Sequence, residues 1–278
     1  MSGPASMNAS PTSRIFQPAG APPTQRGFTL VELMIAITIG LFLIGGLVTL
    51  TGAMKRTSSL QGDLGQLHDT ERMAFSLMTD VIQSSGYYAS PIGTNSPTAE
   101  FPATGVFAAA GQAIYGVDGG TGAAPTSTVT VRYTSTPGDG VLNCIGGTNT
   151  GAAAAAWVAT YQVDGAGDLQ CVLSTTISGT TTVQTTNIAT GVQWMKVLYG
   201  VQSVAASGTY SIDSYLTATQ VSAGPYWPNV ISVQVTLMFV NPMYCAGANC
   251  KAGQQSTQPP YITLTRTIAL MNKAGVNT

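Results

Sequence analysis

The chain has 278 residues, 8% of them charged, and a formal net charge of −1. An average globular domain carries about 25% charged residues, so this composition gives no basic signature for nucleic acid. The single imidazole is His68. With no Gly-x-Ser-x-Gly elbow, phosphate loop or His-Glu-x-x-His motif in the chain, no catalytic residue and no cofactor is assigned, and the protein is not read as an enzyme.

Residues 1–27 contain Pro4, Pro11, Pro18, Pro22 and Pro23, small polar residues and no apolar run. Such a segment buries no core. It reads as a leader whose Arg14 and Arg26 keep it on the cytoplasmic side, with Met1 or Met7 as its start. Removing it takes away two bases and no acid, leaving the mature chain more acidic.

From Phe28 to Met54 the only charge is Glu32. This run exceeds the roughly 20 apolar residues that cross a bilayer as a helix. A secretory signal has an apolar core of only about 7–15 residues with its cleavage site after it. Here the candidate cleavage site, Arg26-Gly27, precedes the run, so cutting would leave the membrane helix on the mature protein. A carboxylate in hydrocarbon costs about 2.5–3.5 kcal/mol on insertion scales and reads as functional by default. Glu32 lies one turn beyond Phe28 and could neutralise an α-amino group there or on a neighbouring chain. The plainer reading is an acid at the membrane edge that reaches water.

Gly27-Phe28-Thr29-Leu30-Val31-Glu32, with Arg26 before them, resemble the prepilin cleavage motif of type IV pilins and type II secretion pseudopilins. The resemblance implies cleavage after Gly27 and N-methylation of Phe28 by an inner-membrane prepilin peptidase. It also implies that Glu32 pairs with the amine of an adjacent subunit during filament assembly. An unpaired buried charge would then penalise wrong docking and set register. The leader is longer than the commonest pattern of such leaders.

Beyond Lys55 and Arg56, Leu60, Leu64, Leu67, Ala74, Met78 and Val81 recur at helical spacing. The sequence predicts that 55–88 continue the helix as an amphipathic segment ending near Gly86, a residue that tolerates a left-handed cap. Asp69 and Arg72 are spaced to pair across a turn. Gly45-Gly46 is where a kink or local melting is expected. The stretch from Glu71 to Tyr88 resembles the helix end of PilW-type minor pilins: a basic residue, an apolar stripe, an acid, then Gly86-Tyr87.

Residues 89–127, with Pro91, Pro97, Pro102 and Pro125, read as loop. Alternation then predicts strands at Val129–Tyr133, Trp157–Val163, Val192–Tyr199 (a central strand, apolar on both faces), Ile231–Phe239 and Ile262–Leu270, where Arg266 breaks one face. One long helix followed by antiparallel strands gives an α+β fold, the helix packed on an antiparallel sheet, with 89–278 as a β-rich head beyond the membrane. Trp194–Val201, Tyr215-Leu216, Trp227 and a closing strand ending Leu270-Met271-Asn272-Lys273 also resemble PilW-type pilins.

Cys144, Cys171, Cys245 and Cys250 allow three pairings. Beyond an inner membrane thiols oxidise, and the two sequence-local pairs, Cys144–Cys171 and Cys245–Cys250, are expected. Zinc is the rival, but His68 is far away and the spacing is poor for a structural site. Asp164-Gly165-Ala166-Gly167-Asp168 lacks the carboxylate density of a calcium loop and reads as a turn. No metal site is assigned.

The resemblance implies a low-abundance pilin that primes a type IV pilus and sits near its tip. It would pass from the inner membrane, head in the periplasm, to the pilus and cell surface, supporting adhesion and twitching motility. Its implied partners are other minor pilins, the major pilin, the prepilin peptidase, the inner-membrane assembly platform and a large tip adhesin. The alternatives are a minor pseudopilin of type II secretion, an anchored adhesin or binding module that never polymerises, and an anchored enzyme.

Overall fold

The structure is a computed structural model that describes residues 27–88, 96–120, 126–202, 211–247, 250 and 254–272. The leader through Arg26, with its alternative start at Met7, lies outside the described residues. So do Pro91, Pro125, Lys273 and two residues of the Cys245–Cys250 loop.

The chain divides into two units, residues 1–53 and 54–278. Helix α1 (Leu30–Gln83) runs without interruption from the first into the second. In the first unit the large apolar side chains of α1 are exposed, from Leu30 at 75% to Leu50 at 52%. In the second unit, Ala74, Phe75, Met78, Val81 and Ile82 are buried. They recur every three or four residues and so share one face.

The helix stops close to Gly86, as the sequence predicts. Gly86 adopts φ +76, a conformation that costs glycine little. Its N–H donates to the Arg132 carbonyl (2.9 Å) and not to a helix carbonyl.

Two antiparallel sheets follow, where the sequence patterns suggested one. The first is a five-stranded meander of β1 (Ile114–Val117), β2 (Thr128–Ser135), β3 (Ala155–Val163), β4 (Asp168–Ile177) and β5 (Thr180–Thr190), in that spatial order. The second contains β6 (Val192–Val201), β7 (Ser214–Leu216), β8 (Val230–Val240) and β9 (Tyr261–Ala269), ordered β7-β6-β8-β9. A single residue, Gly191 with φ +75, carries the chain from the first sheet to the second. Its carbonyl accepts from Val240 N–H at 3.0 Å, and Val192 N–H donates to the Gly167 carbonyl at 2.9 Å, so both sides of the corner are pinned.

One apolar core joins both sheets and the second half of α1. Tyr133, Tyr161 and Tyr199 are fully buried within it, and burial pushes all three hydroxyls well above the ordinary phenol range. The Tyr161 hydroxyl donates to the Leu77 carbonyl at 3.3 Å and so ties β3 to the helix.

The loop expected over 89–127 needs correction. It holds α2 (Pro97–Glu100), capped at Ser96, as well as β1. The reason lies outside the segment. Arg132 on β2 is buried, and its Nε donates to the Gln112 carbonyl (2.6 Å), Nη1 to Pro102 (2.8 Å) and Nη2 to Phe101 (3.1 Å). Its guanidinium also lies 4.3 Å from the Phe107 ring centroid. Burial lowers its pKa from the ordinary arginine value, and three carbonyls solvate the charge that burial would otherwise penalise.

Candidate functional site

The start of α1 gathers most of the residues that the sequence singled out. Gly27, Phe28 and Thr29 precede the helix, and Phe28 is 83% exposed. Thr29 caps it: the Glu32 N–H donates to Thr29 Oγ1 at 3.3 Å, and the Leu33 N–H to the Thr29 carbonyl at 3.1 Å. Glu32 is thus the third residue of the helix, with the Thr-x-x-Glu spacing of a capping box. Its carboxylate falls in the first turn, where the exposed N–H groups favour negative charge. Thr29 escaped the reading of the sequence, although its distance from Glu32 was the signal that marks a cap.

The chemistry open to this turn is electrostatic. A helix N-terminus behaves like roughly half a positive charge. A free amine on Phe28 would add a full positive charge one turn away, and Glu32 is the only acid in the apolar run able to balance it.

The rest of the first unit presents little polar surface to a lipid. Helix α1 is long and apolar enough to cross a membrane. Thr38 donates to the Met34 and Ile35 carbonyls, Thr49 to Gly46 and Thr51 to Leu47 and Val48, at 2.8–3.1 Å. These hydroxyls are therefore satisfied within the helix, as a hydrocarbon environment demands. The helix is continuous through Gly45 and Gly46. Together with Thr38, Leu41, Phe42 and Thr49 they line a shallow recess of about 450 Å³. Small residues of this kind let a neighbouring helix approach closely.

In the second unit, Cys144 is joined to Cys171 and Cys245 to Cys250, the two sequence-local pairs. The first fastens the 136–149 loop to β4. The carboxylate of Asp164 is consumed by its own turn: Oδ1 accepts from the Ala166 and Asp168 N–H groups at 2.9 Å, and Oδ2 from Gln170 Nε2 at 2.8 Å. Among the described residues no group of three or more His, Cys, Asp or Glu is placed to hold a metal ion.

His68 is 65% exposed, and its Nδ1 lies 3.2 Å from Glu71 Oε2. Asp69 and Arg72, expected to pair, form no ion pair among the described residues. Glu71 is 3% exposed and its Oε1 has no hydrogen-bond partner. It occupies a core-facing position between Leu67 and Phe75, where the helical period calls for an apolar side chain. The sequence marks it only as the first residue of the stretch from Glu71 to Tyr88.

Two comparisons with protein families bear on this arrangement. Residues 22–48 match the family described as Prokaryotic N-terminal methylation motif, and residues 152–276 match Type IV Pilus-assembly protein W. The first covers the cap, Glu32 and most of the apolar run. The second covers β3 through β9. No match is found among curated proteins.

Proposed function

Since the chain is a PilW-type type IV pilin, we propose that it is a minor pilus subunit that helps to prime filament assembly and sits near the tip. Its methylation motif and apolar helix fit anchoring in a membrane before assembly. In this reading the prepilin peptidase cuts between Gly27 and Phe28 and methylates the new Phe28 amine. The head waits in the periplasm until the assembly platform moves the subunit into the pilus, beside other minor pilins and the major pilin. A large tip adhesin would sit above it, and adhesion and twitching motility belong to the pilus as a whole. The role is structural and not enzymatic.

The observation that carries this reading is the placement of Glu32. It is the lone acid of an otherwise apolar helix, held in the first turn by the Thr29 cap. Within a subunit it would offset the Phe28 amine and the helix N-terminus. Between subunits it would attract the amine of a neighbour, and a misdocked subunit would leave that charge unpaired. Removing one partner of a buried pair costs about 3–5 kcal/mol, enough to select register. The recess at Gly45-Gly46 is then a seat for a neighbouring helix, with the paired glycines as the place where α1 yields during assembly.

The test is the N-terminal residue and intact mass of the protein extracted from membranes, with and without active prepilin peptidase. A start at N-methylated Phe28 that vanishes without the peptidase is expected. An intact leader, or a cut elsewhere, would overturn the filament reading. Pilus counts in a Glu32→Ala strain complete the test. Fewer pili are expected, whereas normal piliation with failed protein secretion would move the chain to the type II secretion class.

A further inference from the structure

Four strands form the edges of the two sheets: β1 and β5 in the first, β7 and β9 in the second. An open edge offers a row of unpaired N–H and C=O groups, and proteins blunt such edges with shortness, charge or proline. β1 has 4 residues, β7 has 3, and β9 carries Arg266. β5 differs on every count. It runs 11 residues with neither charge nor proline. One side pairs with β4, and among the described residues no strand lies along the other. Thr180 through Thr185 are exposed, and Val183, an apolar β-branched residue at the middle of that stretch, is 66% exposed.

We infer that the β5 edge pairs with the β5 edge of a second copy of this chain, antiparallel about a two-fold axis at Val183. Such an axis places the strand against its own sequence, so charges there would risk meeting like charges across the strands. β5 has none. With the axis at Val183, that side chain covers its twin. Thr182 then faces Gln184, Thr181 faces Thr185 and Thr180 faces Thr186 of the second copy. Threonines facing each other across strands already hydrogen-bond in this molecule, Thr176 with Thr181 and Thr236 with Thr265, both at 2.8 Å.

Seven residues a side bury less than the roughly 1,200 Å² of a stable soluble interface, so this contact is weak by itself. Anchoring both copies in one membrane raises their effective concentration and favours pairing there. The inference concerns the head alone and stands apart from the pilus role.

Among the described residues no cysteine is free, so Val183→Cys adds a lone thiol to an exposed site. Full-length protein in its own membranes, treated with a mild oxidant, is then resolved with and without reductant. Val183→Cys is expected to give a reducible species of twice the monomer mass. Facing residues of antiparallel strands have Cα atoms about 4.5–5.5 Å apart, within disulfide reach. Thr181→Cys and Thr185→Cys are each expected to stay monomeric, because each faces the other position. Differently tagged copies carrying one each should cross-link when co-expressed. Absence of both the Val183→Cys dimer and this mixed dimer would overturn the inference. So would equal cross-linking by all three single variants, or a cross-link to a chain of another mass. Piliation is scored separately, so failure of the pilus role leaves this result readable.

Discussion

Glu32 and Glu71 stand on the same helix, and each interrupts an apolar pattern. Glu32 lies in a half of α1 whose side chains are exposed on every face, and Glu71 in a half that buries one stripe. The first is conspicuous in the sequence because nothing else in its run is charged. The second is hidden, since an amphipathic helix carries charge and only the phase of the stripe shows that Glu71 points inward. The energetic order is the reverse of the visual one. As a single chain, the protein leaves Glu32 in the open and confines Glu71 with one oxygen unpartnered. A charge that the fold of one subunit does not need is the better candidate for a contact between subunits.

The largest test of this contrast is truncation in each half. Met78→Ala, at a fully buried position, should lower head stability by about 2–5 kcal/mol, read as a drop in Tm. Leu43→Ala, at a 64% exposed position, should leave that Tm unchanged. Exchange of the two acids comes next. Glu71 is buried with one carboxylate oxygen left unpartnered, a state that costs free energy, so Glu71→Leu should raise the Tm. Glu32→Leu should leave the Tm alone and reduce incorporation into pili, and a fall in Tm on Glu71→Leu would show that its pairing with His68 stabilises the head.

A smaller effect is expected at the cap. Thr29→Ala should cost about 1 kcal/mol, confined to the first turn and read as faster hydrogen exchange at the Glu32 and Leu33 amides. A third acid, Asp118, sharpens the comparison because the fold uses its charge. Its carboxylate accepts from the Ala218 and Thr219 N–H groups at 2.9 and 2.8 Å, at the start of α3 (Ala218–Ala223). Burial by itself would raise its pKa, but the hydrogen bonds from Thr219, Ala218 and Thr217 together outweigh it and hold the value below the ordinary one. A lowered folded pKa contributes stability above the unfolded value, near 3.9, and loses it as pH falls through the folded value. The Tm difference between the protein and Asp118→Asn should therefore be present at neutral pH and shrink below about pH 4.

The apolar run, the turn carrying Glu32, the end of the helix at Gly86 and the strongest strands were all legible in the sequence. So was the α+β class. Each rests on local periodicity or on a residue type suited to one conformation. β5 was not legible, because both of its faces are largely solvated and its threonines show no alternation of apolar and polar. The ordered segment before β2 was not legible either. It owes its shape to Arg132, a residue that reads as an exposed cation until three carbonyls and a phenylalanine ring close around it.

By itself, then, the sequence determined where the chain is helical and apolar, where the lone acid of that run falls, and which cysteines lie near one another. Those properties are set within a few turns or a few residues. Tertiary structure alone decided that the strands form two sheets hinged at Gly191, that Glu71 points into the core and that β5 is left as an open edge. Each of these depends on which distant backbone arrives to pair or to cover, and no local pattern carries that information.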